Sequence, residues 1–274
     1  YSIYNNKVTG LINQGISSGA NPYVFGIAYQ ADTKSLWYNN AIYLSNGGYT
    51  NAINNYCVRK FFNYYKGIKF YHNTLVLGGS SVPNGNGYCL YKDYNAAMDT
   101  MKNNLFRCLV YPSGSYYCVG TNALALNEWG FSDYNVFYNF YGNQMGYKPT
   151  SAVNFTGWKS FFLGTELHSH FLDFLLQDIL AADLRLKPAT NSALDNAGVY
   201  IPSVATDMDG DIRNNPPDIG ADEFTYTAPI VTASTLSPSI CIGGPLDLTS
   251  NSSSPLLNLT YSWIGPNAFT ASTQ

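Results

Sequence analysis

Charge is what this sequence has least of. Of 274 residues, 14 are Lys or Arg and 17 are Asp or Glu, 11% in all, against about a quarter in an ordinary soluble chain. No dense Lys/Arg run occurs, so no nucleic acid is expected among its partners. No apolar stretch is long enough for a membrane span. The five cysteines, Cys57, Cys89, Cys108, Cys118 and Cys241, form neither CxxC nor a Cys/His metal spacing, so neither a zinc site nor a disulfide framework is implied. No nucleophile motif such as G-x-S-x-G appears.

What the chain has instead is apolar and aromatic surface: 46% hydrophobic residues and 24 tyrosines. That is ample for a core and excludes disorder. A surface of Tyr, Asn, Gly and Ser suits a secreted, β-rich protein. The charges are unevenly placed. Residues 1–150 hold ten Lys/Arg against five Asp/Glu, and residues 151–274 four against twelve. The first balance suits an anionic partner such as an acidic polysaccharide; scattered surface lysines are the plainer reading. The chain opens inside a strand-like stretch, "YSIYNN", so both ends are expected to belong to something longer.

A repeat runs through the first half. "IYNNKV", "WYNNAIYL", "FYHNTLVL", "MKNNLFRCLV" and "SDYNVFYN" align on Asn6, Asn40, Asn73, Asn104 and Asn135, at intervals of 34, 33, 31 and 31 residues. Each of the first four is followed by a second landmark: "FGIAY", "YCV", "YCLY" and "YCVG". This puts Cys57, Cys89 and Cys118 at matching places, as buried free thiols. Gly- and Asn-rich turn signals at 46–48, 83–87 and 112–115 separate the landmarks. The short β-branched and aromatic runs predict strands, and several strands per repeat describe a parallel β-helix. Coils then stack about 4.8 Å apart. Asn carries both a donor and an acceptor, so Asn6, Asn40, Asn73, Asn104 and Asn135 are expected to form a hydrogen-bonded structural ladder, at a corner whose left-handed backbone Asn tolerates. The segment 164–198, with a helical patch near 166–181 and a strand at "ADLRLKP", is expected with the opening stretch to cap the solenoid.

The stretches "YHNT", "KNNLF", "FSDYNVFY", "ELHSH", "DLRLKPATNSALDNAG" and "TDMDGDIRNNPPDIGADEF" resemble the right-handed, pectate-lyase-like parallel β-helix proteins secreted or displayed by Gram-negative bacteria. The resemblance covers residues 1–226. It implies an all-β fold and an extracellular or outer-membrane location. It does not fix an activity, because the family includes polysaccharide lyases and members without established activity. Residues 227–240 read as a Pro/Thr/Ser linker. Residues 241–274 resemble the start of a bacterial Ig-like β-sandwich, with Cys241 and Trp263 near its B and C strand positions. Such tandem modules resemble cargo of the type IX secretion machinery, with further domains of the same chain as neighbours.

A lyase of this fold would resemble a calcium site of clustered carboxylates with an Arg or Lys base. Calcium needs six to eight oxygens, yet the repeats offer only Asp32, Asp93, Asp99, Glu128 and Asp133, at non-equivalent positions. Inverting glycoside hydrolysis would also need paired carboxylates. His72 reads as a corner residue, and His168 and His170 are a weak metal pair. Catalytic residues are therefore not assigned. A binding role asks for less: Tyr116, Tyr117, Trp129, Tyr138, Tyr141 and Tyr147 crowd one stretch and suit sugar rings, although half of them are expected in the core or in stacked solenoid ladders. A purely structural stalk is the third reading. In the acidic stretch, Asp207, Asp209 and Asp211 begin like a Ca²⁺ loop, but Gly210 stands fourth, Ile212 sixth and Asp218 twelfth. The better reading is a closing segment with turns at Asp209-Gly210 and Pro216-Pro217, Arg213 paired to an aspartate, and "DIGADEF" laid against the last coil.

Overall fold

The structure is a computed structural model. It describes residues 1–13, 23–29, 34–46, 54–61, 67–79, 85–93, 99–110, 115–122, 129–148, 150–161, 165–228, 230–235, 248–252, 262–264 and 270–272. The chain divides into two compact units, Tyr1–Phe224 and Thr225–Gln274.

The first unit is a parallel β-solenoid with three sheets. The first sheet stacks Ser2–Tyr4, Ser35–Tyr38, Ile68–Tyr71, Asp99–Lys102 and Trp129–Asp133. The second stacks Lys7–Asn13, Ala41–Asn46, Thr74–Gly79, Leu105–Cys108, Val136–Asn139 and His170–Phe171. The third stacks Tyr23–Tyr29, Asn54–Lys60, Asn86–Lys92, Ser115–Thr121 and Gln144–Lys148, and closes with the antiparallel Ser151–Asn154. Neighbouring strands are in register, so like residues form columns: Tyr4, Tyr38 and Tyr71 in the first sheet, and Phe25, Tyr56, Tyr88 and Tyr117 in the third. The third-sheet strands carry the "FGIAY", "YCV", "YCLY" and "YCVG" landmarks.

Side-chain alternation along each strand sorts core from surface. Trp37, Phe70 and Met101 point inward from the first sheet, and Ile42, Leu75, Phe106 and Phe137 from the second. Cys57, Cys89 and Cys118 point inward from the third and are free and buried, as is Cys108. Each large apolar side chain so buried contributes about 1.5–3 kcal/mol. The tyrosines beside the cysteines point the other way and stack on the outer face, Tyr56 on Tyr88 at 5.6 Å and Tyr88 on Tyr117 at 5.7 Å between ring centroids.

The asparagines stand in one column at the corner between the first and second sheets. Each Nδ2 donates to the Oδ1 of the next, from Asn6 to Asn40 at 2.8 Å, Asn40 to Asn73 at 2.8 Å, Asn73 to Asn104 at 3.0 Å and Asn104 to Asn135 at 2.9 Å. Each backbone N–H also donates to that same oxygen. The left-handed backbone lies one residue earlier than the sequence suggests: Asn5, Asn39, His72, Asn103 and Tyr134 have φ of 51–58°. The ladder asparagines stay out of that region, and the residues before them at 39, 72, 103 and 134 have side-chain partners outside the column.

The far end is closed in part by the expected segment, since His170–Phe171 is the terminal strand of the second sheet, but without the expected helix. The sequence suggests a helix near 166–181, but those residues form only His170–Phe171 and Leu176–Asp178 strands and turns. The helix is Phe155–Phe161, capped by Asn154 Oδ1, which accepts the Gly157 N–H at 2.8 Å. Its Trp158 is fully buried over the last coil. Gly146 makes room for that ring, since a Cβ there would lie 2.6 Å from Trp158 Cε3. The strand read at "ADLRLKP" is Asp183–Leu186.

The closing segment also takes another path. Instead of lying on the last coil, it runs beside the corners of the second, third and fourth. Asn103 pairs with Val199 through both of its amide atoms, at 2.7 and 3.0 Å. His72 Nδ1 lies 3.3 Å from Gly220 O and its Nε2 2.8 Å from Asn103 Nδ2. Asn39 donates to Thr206 O at 2.7 Å and accepts from Arg213 at 2.9 Å. Three of the left-handed residues receive this segment with their side chains, and Thr74 Oγ1 accepts the Ala221 N–H at 3.0 Å. Arg213 pairs with Glu223, at 3.0 Å, rather than with an aspartate. The turn at Asp209-Gly210 is present, with Gly210 at φ +97°. The turn signals at 46–48, 83–87 and 112–115 each lie partly outside the described residues.

In the second unit Val231–Thr235 pairs antiparallel with Leu248–Ser252, and Trp263–Ile264 with Thr270–Ala271. Cys241 lies outside the described residues.

Candidate functional site

The six expected aromatic residues do not share one surface. Tyr116 belongs to the core cluster. Tyr117 and Tyr147 join the outer stack of the third sheet, 5.6 Å apart. Tyr138 lies on the second sheet, where the Arg107 guanidinium sits 5.7 Å from its ring and is held by Asp173 at 2.9 Å. The Trp129 backbone is in the first sheet, and its side chain is outside the described residues. Tyr141 is 41% exposed in the turn after Val136–Asn139.

Three of the six nevertheless converge. Tyr116, Tyr117 and Tyr141 line a cavity of about 300 Å³ together with Asn139, Gln144 and Val110. The wall is built by local hydrogen bonds. Asn139 Nδ2 donates to Tyr116 O at 3.0 Å and to Gln144 O at 2.8 Å, and its Oδ1 accepts the Tyr141 N–H at 3.4 Å. Gly87, across the strand pair from Tyr116, allows the ring its place, because a Cβ there would lie 2.5 Å from Tyr116 Cδ1. Burial raises the Tyr117 phenol above its usual range, so it stays a neutral donor at physiological pH. Sequence reading missed Asn139 and Gln144. The signal was available, because Asn139 stands four residues after the ladder asparagine Asn135, at the end of the same strand.

On the outer face of the third sheet, Arg59 lies over the rings of Tyr56 and Phe61, at 4.8 and 4.5 Å, and pairs with Asp93 at 3.2 Å. Burial pushes Tyr56 and Tyr91 up to about 12. A second concavity, about 390 Å³, lies along the first sheet and is lined by Tyr1, Lys34, Leu36, Lys69, Thr100 and Ser203. Its two lysines give it positive character. Sequence analysis noted the basic balance of this half but not the place.

The aspartates that begin like a calcium loop are arranged otherwise. Asp207 is buried, and its Oδ1 accepts the N–H groups of Asp209, Gly210 and Asp211 at 2.8–2.9 Å. Its Oδ2 accepts the Glu223 N–H at 2.9 Å. Asp209 and Asp211 are exposed. Asp218 accepts the N–H groups of Asn196 and Phe224, each at 2.6 Å. Burial raises Asp218 and Asp222 to about 7. Among the described residues no group of three or more His, Cys, Asp or Glu is placed to hold a metal ion.

His168 and His170 are both exposed. His168 Nδ1 is 2.8 Å from Asp133 Oδ2, and its ring stacks on Tyr134 at 4.5 Å. Glu166, fully buried, ends the asparagine column. It accepts from Ser132 Oγ at 2.5 Å, from Ser169 Oγ, and from Trp158 Nε1 at 3.4 Å. Ser169 in turn accepts the Asn135 N–H at 2.8 Å.

No protein-family model, curated protein or solved structure matches the chain. No helix among the described residues is long and apolar enough to cross a membrane.

Proposed function

We propose that the solenoid is a non-catalytic module of a large secreted or cell-surface bacterial protein, with an adhesive, glycan-binding role. One observation supports this reading: Tyr116, Tyr117 and Tyr141 meet Asn139 and Gln144 at one cavity. Aromatic surface with a few amides is suited to a sugar, whose ring face is apolar and whose rim is hydroxyl. No carboxylate stands among the described residues lining it, which favours binding over cleavage. The right-handed, pectate-lyase-like assignment, the Ig-like reading of the second unit and export by the type IX machinery belong to the same proposal. They rest on the resemblance of "DLRLKPATNSALDNAG" and "TDMDGDIRNNPPDIGADEF".

The test is titration of the protein with neutral oligosaccharides, with and without Tyr141→Ala. Weak binding that falls about tenfold in the variant is the expected result for loss of an aromatic contact. Binding of no glycan, or binding indifferent to Tyr141, sinks the reading.

A second reading rests on Lys34 and Lys69 in the first-sheet groove. It makes the ligand an acidic polysaccharide, whose affinity would fall steeply with salt. Were the groove a lyase site, acidic polysaccharide with calcium would release ultraviolet-absorbing unsaturated products. A flat trace excludes that version, and silence from both cavities leaves the stalk.

A further inference from the structure

The cavity of Tyr116, Tyr117 and Tyr141 lies at the corner between the second and third sheets. Chain length accounts for its place. The connection across this corner takes seven residues after Asn46, six after Gly79 and six after Cys108, but only four after Asn139. The last turn is thus the shortest, and with the rings of the coil before it bounds the cavity.

The same turn carries a row of rings outward. Tyr138 is half-buried, and Phe140 and Tyr141 are 54% and 41% exposed. Phe140 meets Tyr141 edge-on with centroids 4.6 Å apart, and Tyr138 edge-on at 6.4 Å. Strand alternation sends Tyr138 and its register partner Arg107 outward from the second sheet, while Phe137 points into the core. The row therefore leaves the cavity at Tyr141 and ends on the outer face of that sheet.

Polar groups stand at both ends of the row. At the cavity, the exposed Gln144 side chain has no hydrogen-bond partner among the described residues. At the far end, Asp173 Oδ1 accepts Arg107 Nε at 3.2 Å and Nη2 at 2.9 Å. The Tyr138 phenol hydrogen-bonds the same carboxylate. The Asp173 side chain is 42% exposed. A carboxylate has about four acceptor sites, so Asp173 retains capacity for a ligand hydroxyl.

We propose that the row extends the cavity, and that the ligand is a neutral oligosaccharide bound lengthwise. One sugar unit then sits in the cavity against Tyr141 and the next against Phe140, with hydroxyls beyond it at Asp173. This rests on the glycan-binding reading of the cavity and adds chain length to it. The surroundings choose the occupant. Rings interleaved with amide, phenol and carboxylate groups match the apolar faces and hydroxyl rims of successive sugars. An anionic chain gains little here, because Arg107 is already held by Asp173. An extended peptide would add to an open sheet edge. None is offered, since His170–Phe171 and Ser151–Asn154 continue the second and third sheets past this turn.

The experiment is calorimetric titration of the whole chain with glucose, galactose and mannose, and with a neutral tetrasaccharide of each. At least one tetrasaccharide should bind about tenfold or more tighter than its monosaccharide. Phe140→Ala should remove that gain and leave monosaccharide affinity unchanged, whereas Tyr141→Ala should weaken both lengths. Phe140→Leu keeps apolar bulk without a flat ring and should also lose the gain, so the proposal stays testable if the alanine variant does not fold. Phe140→Trp should retain it. Equal affinity for both lengths, or a gain indifferent to Phe140, overturns this proposal and leaves the cavity reading in place. Binding of neither length overturns both.

Discussion

The closing segment and the tyrosine cavity invert the impression that each gives in sequence. Residues 206–224 concentrate the acidic side chains of the chain, and in the structure the buried carboxylates among them, those of Asp207, Asp218, Asp222 and Glu223, are engaged within the segment or with its neighbours. Asp207 holds four backbone N–H groups, Glu223 holds Arg213, and Asp218 holds Asn196 and Phe224. The cavity has no motif at all, only scattered tyrosines and two amides, yet Tyr141 and Gln144 are exposed at it. Density of reactive residue types marks a site poorly. What matters is whether their polar atoms are already paired, since a buried carboxylate with four donors has little capacity left for a ligand.

The largest blow to that contrast would come at Asp207. Asp207→Ala leaves four amides without their acceptor, and we expect a loss of about 3 kcal/mol or more, roughly 6–12 °C in melting temperature for a unit of this size. A chelator added to the unaltered protein should leave the melting temperature unchanged. A fall with chelator that calcium reverses would make the aspartates ligands and erase the difference between the two regions.

Next in size is the asparagine ladder. Asn73 accepts two hydrogen bonds from Asn40 and donates to Asn104, Trp37 O and Tyr71 O. Asn73→Ala should cost about 2–3 kcal/mol in a denaturant titration, and Asn6→Ala, at the end of the column, less than about 1 kcal/mol. Equal losses would mean that the column is not the stabilising element. The ladder was legible because it repeats one residue type at one interval. The left-handed position before it was less legible, because its occupants are Asn5, Asn39, His72, Asn103 and Tyr134, and only three of the five share a type. The lateral path of the closing segment was also hidden. Arg213 meets Asn39 across 174 residues, and no local pattern encodes a contact of that separation. The helix Phe155–Phe161 escaped because it is short and carries Gly157, so only its tertiary contact through Trp158 makes it worth forming. For the candidate site, sequence gave the tyrosines but not their sorting into core, outer stack and cavity, which depends on strand phase.

Acidity probes the same segment more gently. Burial raises Asp218 and Asp222 to about 7 in the folded protein, while the unfolded chain titrates near 3.9. Between these values the folded state holds more protons, so stability is fullest at and below the unfolded value and declines as pH rises through about 7. Buried His72 acts in the opposite sense. Burial, then Arg213, hold its folded pKa well below 6.5, so acid favours the unfolded state through this one residue. Two groups against one leave the melting temperature a few degrees higher at pH 5.5 than at pH 8. Asp222→Asn should flatten that slope. A melting temperature that rises with pH would show the two aspartates ionised in the fold.

The smallest effect on stability is expected at the cavity, and there the smallness is the point. Tyr141 is partly exposed, and its ring meets Phe140 edge-on at 4.6 Å. Tyr141→Ala should shift the melting temperature by no more than about 0.5 kcal/mol would. Tyr117→Ala breaks the stack between Tyr88 and Tyr147 and should cost about 2–3 kcal/mol, at the low end for an aromatic truncation because one face of the stack is solvent-side. Two tyrosines of one cavity would then separate, one holding the sheet and the other contributing little to it. If Tyr141→Ala destabilises as much as Tyr117→Ala, the ring is part of the fold, and the cavity loses the exposed aromatic surface on which a sugar would stack.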